Sequence, residues 1–371
     1  TVNVQTISLQ RDAYADLIAA SGSFNTQRYT MRAGTGLINN KWAFDGRVSR
    51  ITSDGYIDRA TSDLNSYYLS GGYYGKKTIL KAVLFGGHEK TYQSWNGIDE
   101  ETIKTNRTFN SAGALYDENY NVTGYYDNEV DDYRQDHAQL HLTQQFSERW
   151  NANVSFHYTY GRGFYEQYKQ LQPFAELGLA NVVLGDTTLT AGDFVLRKWL
   201  DNDFYGTAFS LNYENNKINF SLGGAYNEYA NAKHFGEIIW AQYASNSRLR
   251  QHYYDGESQK NDFNVYAKFN YEIMPLLNTF LDLQYRYIDY TTAGIDDGLN
   301  AYDVEDKFNF FNPKAGISYS LSASDVVYGS YAVAHREPTR TDYLYGFVRP
   351  KHERLDNIEL GWRKNSDRYN F

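Results

Sequence analysis

Several stretches of the chain alternate strictly between apolar and polar residues. Between Ala152 and Gly161, for example, Val154, Phe156 and Tyr158 are separated by polar side chains. The same pattern recurs over 263–273 and, with one imperfection, over 205–214. Successive side chains of a β-strand point to opposite faces, whereas an α-helix has a period of 3.6 residues. The sequence therefore predicts an all-β protein whose strands have one apolar and one polar face.

The segments between these strands alternate in length. Short turns occur at 39–40, 75–77, 147–149, 215–216, 274–275, 322–324 and 365–366. The longer polar segments between them are 53–64, 93–132, 168–202, 237–260, 292–307 and 345–356. Outer-membrane β-barrels have short periplasmic turns and long extracellular loops. The predicted fold is therefore a transmembrane antiparallel β-barrel of about 14 strands in this chain, a count that follows from these connections.

Composition excludes some classes of protein. Aromatic residues make up 17% of the chain, yet the mean hydropathy is -0.66, which suits strands with one lipid-facing and one wet side. No run of about 18 apolar residues occurs, so a transmembrane helix is excluded. The net charge of -9 argues against a nucleic-acid partner, because phosphate binding requires a basic surface.

Two motifs near the end of the chain carry a family resemblance. Arg336-Glu337-Pro338-Thr339 ends one predicted strand, and Glu353, Asn357, Glu359 and Gly361 follow on the next. This pair resembles the TonB-dependent receptor family, in which an Arg-(Ala/Glu)-Pro strand end leads over a loop to an Asn-x-Glu-x-Gly strand. Asp45 to Tyr56 likewise looks like the third barrel strand of that family.

The resemblance implies a domain organisation and a function. Residues 1–8 would be the last strand of a plug domain, and 9–371 would be a barrel domain that lacks its C-terminal strands, about 14 of a total of 22. The expected activity is energy-dependent uptake of a scarce, large solute, most of all a ferric siderophore or similar iron chelate, across a bacterial outer membrane. Expected partners are a TonB-type energy-coupling protein that acts through the plug, outer-membrane lipid and lipopolysaccharide, and the chelate. No cofactor is expected.

Ligand contacts are expected on the long loops and at the upper strand ends. A mixture of arginine and aromatic side chains suits an anionic, ring-bearing chelate. The competing interpretation is that these are ordinary exposed loop residues. The predicted ligand residues are Trp95, Arg162, Tyr165, Trp240, Tyr243, Arg248, Arg250, Arg336 and Arg340.

Catalytic and metal sites have weaker support. His137 and His141 are four residues apart, on one face of a strand, but lack a nearby set of further zinc ligands. Acidic clusters at 127–132 and at Asp296, Asp297, Asp303 and Asp306 could offer oxygen ligands to calcium, but without EF-hand spacing. We therefore predict no metal site and no enzyme. The alternatives are a passive porin or an outer-membrane barrel protease or lipase, and haem, cobalamin and oligosaccharide are also compatible as cargo.

Overall fold

The computed structural model describes residues 9–243, 245–346 and 348–364. The expected plug strand at 1–8 and the turn at 365–366 lie outside these residues. Fourteen strands form one antiparallel sheet in which each strand pairs with its neighbours in the chain. They are β1 (Tyr14–Gly22), β2 (Thr26–Gly34), β3 (Trp42–Ser53), β4 (Ser62–Tyr74), β5 (Thr78–Tyr92), β8 (Val130–Gln145), β9 (Trp150–Pro173), β12 (Ala191–Glu214), β13 (Ile218–Ala241), β14 (His252–Met274), β15 (Leu277–Ile295), β16 (Ala301–Ser320), β17 (Asp325–Arg336) and β18 (Glu353–Lys364).

Short elements lie in the connections between these strands. Two hairpins pair only within themselves, and two helices and one 3-10 turn complete the described secondary structure. They are β6 (Ala114–Tyr116) with β7 (Val122–Tyr125), β10 (Val182–Leu184) with β11 (Thr187–Leu189), α1 (Glu100–Thr105), α2 (Arg340–Tyr345) and the turn Phe174–Leu177. Among the helices in the described residues, none is long and apolar enough to cross a membrane.

The sheet has two chemically different faces. We call the face that carries Phe156, Leu211 and Phe269 the outer face, and the face that carries His157, Ser210 and Lys268 the inner face. Phe156 is 54% exposed and lies opposite Leu140 and Thr207 on the neighbouring strands. The alternation that predicted these two faces is confirmed.

Hydrogen bonds between side chains run across the inner face. His141 bonds Ser155 at 2.9 Å, and the Asn153 amide donates to Ser210 at 3.3 Å. Farther up, His137 bonds Thr159 at 2.9 Å. These polar rows have the chemistry of a water-facing lumen. Within the described residues β1 and β18 each pair on one side only, so the 14 strands form an open sheet.

The predicted count of about 14 strands is confirmed, but three of the long loops were predicted too long. Segments 168–202, 237–260 and 292–307 consist largely of strand, and the connections are only 174–190, 242–251 and 296–300. The upper strand ends keep their backbone pairing, but apolar and polar residues no longer alternate there, since Phe194, Val195 and Leu196 are consecutive apolar residues that are all buried. The apolar-polar period, which was the signal for a strand, therefore disappears before the strand ends.

Three connections at one end of the sheet build the site described below. The outer loop, 93–129, packs against the outer face, where the Gln93 amide donates to the carbonyls of Val130 and Glu166. The inner loop, 174–190, folds over the inner face. The strap, whose described residues are 337–346 and 348–352, contains α2 and also lies over the inner face, to which Glu337 is bound through Lys260 and Arg286.

Candidate functional site

The inner loop is held to the sheet by a buried apolar cluster. Phe174 is completely buried and meets Phe194 edge to face, with ring centroids 5.9 Å apart. Leu196 on β12 and Ile238 on β13 complete the contact from the sheet side. Burying an aromatic side chain of this size stabilises a loop strongly, so the inner loop is a fixed wall of the space directly beneath it.

A β-bulge in β14 adds two aromatic rings to the same wall. Gly236 pairs with Tyr254 but Glu237 pairs with His252, so Tyr253 is the extra residue. An extra residue re-aims its side chain, and here both Tyr253 and Tyr254 join the buried cluster on the inner face. A Cβ at Gly236 would lie 2.3 Å from the Tyr253 ring, so only glycine fits beneath it.

The strap is fastened by a partly buried ion network. Glu337 forms ion pairs with Lys260 on β14 and with Arg286 on β15, the second at 3.1 Å, and Arg286 also pairs with Asp262. The Glu337 side chain is 14% exposed. Burial tends to raise the pKa of Glu337, but the hydrogen bond from Lys260 and the two positive charges outweigh it and lower that pKa. The network therefore holds Glu337 as a carboxylate.

Helix α2 then carries the strap across the inner face. The Thr339 side chain accepts a hydrogen bond from the Asp342 backbone, and Asp342 bonds back in a capping box. Tyr343 donates to Asp306 at 2.6 Å. Burial and that hydrogen bond raise the pKa of Tyr343. With both ends fixed, α2 presents Arg340 to the space below.

Between the inner face and the strap lies a cavity of about 450 Å³, which we call the vestibule. The Lys198 ammonium lies 6.0 Å from the ring centres of both Tyr165 and Tyr254. The Arg340 guanidinium makes no hydrogen bond or ion pair with any described residue, and its side chain is exposed. The positive charges and tyrosine rings of the vestibule can therefore bind an anionic or aromatic group. The other lining residues include Glu89, Asp131, Tyr133, His234, Asp296, Asp297, Thr341, Leu344 and Tyr345.

The carboxylates of the vestibule differ in their hydrogen-bond and ion-pair partners. Asp297 pairs with Lys198 at 3.1 Å. Asp296 accepts hydrogen bonds from the backbone of Gly298 and Asn300 and so closes its own turn. Glu89 and Asp131 stand on β5 and β8, on the far wall from the strap. The vestibule therefore offers both signs of charge between tyrosine rings, and this suits a ligand with several polar groups rather than a simple ion.

Some of the residues predicted from sequence come together here. Tyr165 and Arg340 line the vestibule. Trp95, which is 57% exposed, meets Tyr165 edge to face at 5.7 Å, so it stands at the upper rim. Tyr243 packs behind the wall, against the buried cluster of the inner loop.

The other predicted ligand residues lie elsewhere. Arg162 is on the outer face, where it pairs with Asp201 at 3.5 Å. Trp240 stacks on Tyr168 on that same face. Arg250 is bound to Glu237, Arg336 is bound to Glu353, and Arg248 lies on the exposed 242–251 connection.

Lys198, His234 and Tyr254 line the vestibule but were not predicted. All three fall in segments or at borders that the sequence assigned to loops, so their face was not assigned. The signal that could have placed Lys198 and His234 is the period of two along a strand. It puts Lys198 on the same face as Leu200, and His234 on the same face as Gly236. The bulge at Tyr253 has no sequence signature that would have located Tyr254.

The candidate metal ligands do not converge. Within residues 9–243, 245–346 and 348–364, no group of three or more His, Cys, Asp or Glu side chains is close enough to hold a metal ion. Asp303 lies on β16, on the face opposite to that of Asp306. Asp306 itself accepts hydrogen bonds from Tyr343 and Arg349. His137 and His141 share the inner face but bond separate hydroxyl groups.

Comparison with known proteins identifies the family. The sequence model for "TonB dependent receptor-like, beta-barrel" matches residues 72–371. The chain belongs to the TonB-dependent receptor family. Its sheet is accordingly part of an antiparallel receptor barrel, and proteins of this family are transport receptors of the outer membrane. No curated protein sequence matches the chain.

Solved receptor structures share the fold at low sequence identity. The siderophore receptor PiuA from Acinetobacter baumannii has a TM-score of 0.66 at 12% identity, covering 96% of this chain and 55% of that one. The ferripyoverdine receptor of Pseudomonas aeruginosa, bound to ferripyoverdine, has a TM-score of 0.69 at 12% identity, covering 96% and 47%. The copper transporter OprC has a TM-score of 0.65 at 10% identity, covering 98% and 52%. The chain thus spans about half the length of the receptors it resembles.

The structure gives the family motif a physical role. Arg336 and Glu353 form an ion pair between β17 and β18 at 2.7 Å. Glu337 fastens the strap and Thr339 caps α2, while Pro338 lies between them. On β18 the Asn357 amide donates to Glu359, and a Cβ at Gly361 would lie 2.3 Å from the Tyr328 ring. The motif thus builds the strap and its two supporting strands.

Proposed function

We propose that this receptor takes up a scarce, large solute across the outer membrane of a bacterium, with energy supplied by a TonB-type partner. The observation that carries the proposal is the vestibule. It holds an arginine with no partner among the described residues and a lysine between two tyrosine rings, in the wall of a TonB-dependent receptor barrel. Such a site binds a solute that is too large or too rare for diffusion through a porin.

The cargo we propose is an iron chelate such as a ferric siderophore. PiuA and the ferripyoverdine receptor are named for such ligands, and Arg340 with Tyr165 and Tyr254 has the chemistry to hold an anionic group and an aromatic ring. OprC has a similar fold and is named for copper, so the fold alone does not set the cargo. The proposal therefore rests on the side chains of the vestibule.

Uptake under two conditions tests the proposal. Cells that produce the full-length receptor would be given a panel of iron-55-labelled ferric catecholates, hydroxamates and citrate, with and without the energy-coupling partner. We expect uptake of at least one chelate to require that partner. Equal uptake in both strains would contradict the proposal and indicate a passive pore.

A pair of arginine variants locates binding. Arg340→Ala should weaken binding of the transported chelate by about tenfold or more, because truncating an arginine anchor costs about 1–4 kcal/mol. Arg162→Ala, on the outer face, is the matched control and should bind normally. A loss of affinity in Arg162→Ala with none in Arg340→Ala would contradict the proposed site.

Orientation can be tested because the chain contains no cysteine. We propose that the outer loop, the inner loop and the strap face the outside of the cell and that the short turns face the periplasm. A cysteine at Gly97, where a Cβ meets no atom within 4 Å, should react with a membrane-impermeant maleimide on intact cells. A cysteine at Asn216 should react only after the outer membrane is opened. The reverse pattern would contradict the orientation.

A further inference from the structure

A second cavity, of about 690 Å³, adjoins the vestibule beneath the inner loop. Lys198, Asp297 and Tyr345 line both cavities, so the ion pair between Lys198 and Asp297 stands at the boundary. Leu177 and Leu196 supply its apolar wall. We call this cavity the annexe. Its volume is in the range of pockets that hold a substantial part of a small molecule.

Two polar side chains in the annexe make no hydrogen bond with any described residue, although Glu129 acts on one of them, Lys169, from beyond ion-pair distance. Tyr253 is 8% exposed, and its hydroxyl makes no hydrogen bond with any atom of the described residues. Lys169 on β9 lines the same cavity and likewise makes no hydrogen bond or ion pair within them. Buried polar groups in native proteins are almost always satisfied, so a phenol held in this position by a backbone bulge requires a partner.

The acidic residues of the annexe are already engaged. Asp296 is used by its own turn, Asp297 by Lys198, and Glu176 accepts a hydrogen bond from Gln172 at 2.6 Å. The groups of the annexe left without a hydrogen bond among the described residues are therefore the Lys169 ammonium and the Tyr253 phenol, both of which donate hydrogen bonds. A group that satisfies both must accept hydrogen bonds, and a negative charge on it favours the lysine.

We infer that the annexe is a second binding subsite that takes a carboxylate-bearing arm of the cargo, with Lys169 and Tyr253 as its donors and Lys198 at its entrance. The inference rests on the proposed function only in taking the bound molecule to be the transported solute. The subsite itself is defined by the cavity and the two donors. A chelate core in the vestibule and an acidic arm in the annexe would bind together, and this favours a cargo with a free carboxylate beyond its metal-binding groups.

The direct test is calorimetric titration of citrate into the purified full-length receptor in detergent, at constant ionic strength. The variants are Lys169→Gln and Tyr253→Phe, and the control is Lys217→Gln in a turn at the other end of the sheet. We expect saturable binding that weakens about tenfold or more in both Lys169→Gln and Tyr253→Phe, since a hydrogen bond to a charged group is lost in each. Lys217→Gln should bind as the unchanged receptor does.

The thermal unfolding midpoint, measured without citrate, distinguishes a tyrosine that binds ligand from one that only stabilises the fold. Tyr253→Phe removes a hydroxyl that has no partner among the described residues, so the midpoint should stay the same or rise while citrate affinity falls. Equal citrate binding in all four proteins would overturn the inference. So would binding of inorganic phosphate in place of citrate. Because this titration needs no energy-coupling partner, it can succeed even if the uptake experiment fails, and the reverse also holds.

Discussion

The outer loop and the inner loop arise from neighbouring strands, yet they pack on opposite faces of the sheet. The inner loop brings Phe174 into an apolar cluster on the inner face. The outer loop brings mostly polar contacts to the outer face, where Tyr126 and Asn128 both donate to Glu166. Both segments are long and polar in sequence. The difference shows that loop length indicates the end of the barrel, whereas a few anchor residues decide which face a loop covers.

This comparison has a functional consequence. The inner loop forms part of the wall of the annexe, which adjoins the vestibule, whereas the outer loop reaches the site only through Trp95 at its rim. Damage to the inner loop should therefore reduce both folding and binding. Damage to the outer loop away from Trp95 should affect folding locally and leave binding nearly unchanged.

The largest effect is expected for Phe174→Ala. Truncation of a fully buried phenylalanine costs about 3–5 kcal/mol, which is enough to release the inner loop from the sheet. Limited proteolysis should then cut within 174–190, and chelate affinity should fall sharply. The barrel should still resist dissociation in detergent, and cleavage of the outer loop should not change. Tight chelate binding by a receptor whose inner loop is released would contradict a role of that loop in binding.

Glu166→Gln is the matched change for the outer loop, because Glu166 on β9 accepts the hydrogen bonds of Tyr126 and Asn128. The Glu166 side chain is 3% exposed and also pairs with Arg197 at 2.6 Å, so loss of its charge should cost about 2–3 kcal/mol. Proteolysis within 93–129 should accelerate. Calorimetry should show chelate binding within about twofold of the unchanged receptor, and a larger loss would place the outer loop inside the binding site.

The outer loop and the strap should respond in opposite directions to acid. Burial raises the pKa of Glu129 in the outer loop above its ordinary value near 4.5. In the strap, by contrast, the ion network around Glu337 lowers the pKa of that carboxyl. For Glu337, stabilisation is complete above pH 4.5 and is lost as the pH falls through the lower, folded-state pKa. For Glu129, stabilisation is complete below pH 4.5 and is lost as the pH rises through the raised, folded-state pKa.

Hydrogen exchange of the two segments measures this difference. Acidification below pH 4.5 should increase exchange in α2, after correction for the intrinsic rate, and should not do so near Glu129. Glu337→Gln should make α2 exchange fast at every pH and remove the dependence. A strap whose protection does not change in acid would show that the Glu337 network does not fasten it.

The smallest effect is expected for Trp95→Ala. Its edge-to-face contact with Tyr165 contributes about 0.5–1.5 kcal/mol, and most of the ring is exposed. Chelate affinity should fall by about twofold to tenfold with no change in the unfolding midpoint. Trp240→Ala, on the outer face, is the control and should bind normally.

The fold was predictable from sequence to the extent that its chemistry is periodic. Strands with an apolar outer face, such as the one through Phe156, were identified together with the faces of their side chains. Above that band apolar and polar residues stop alternating, as in the apolar run from Phe194 to Leu196, so the upper parts of β9, β12, β13 and β14 were predicted as loop. The strand count was confirmed because short turns mark the other end of each pair.

The site was less predictable because residue type does not reveal the face of a residue. Arg162 and Tyr165 were predicted together, but three residues along a strand places them on opposite faces. Arg340 was predicted from its position near the top of a strand, and it lines the vestibule. Tyr254 is there because of a bulge at Tyr253, which depends on the pairing of β13 with β14 and not on local sequence.

Protection of a single cysteine by cargo tests the central claim most directly. Thr341 is exposed on α2 and lines the vestibule, whereas Asn65 lies on the outer face beside His88. Labelling of Thr341→Cys and Asn65→Cys by a maleimide would be timed in the full-length receptor, with and without a saturating amount of the chelate that supports uptake. We predict that the chelate slows labelling at position 341 by about tenfold or more and leaves position 65 unchanged. Protection at position 65 with none at position 341 would contradict binding on the inner face.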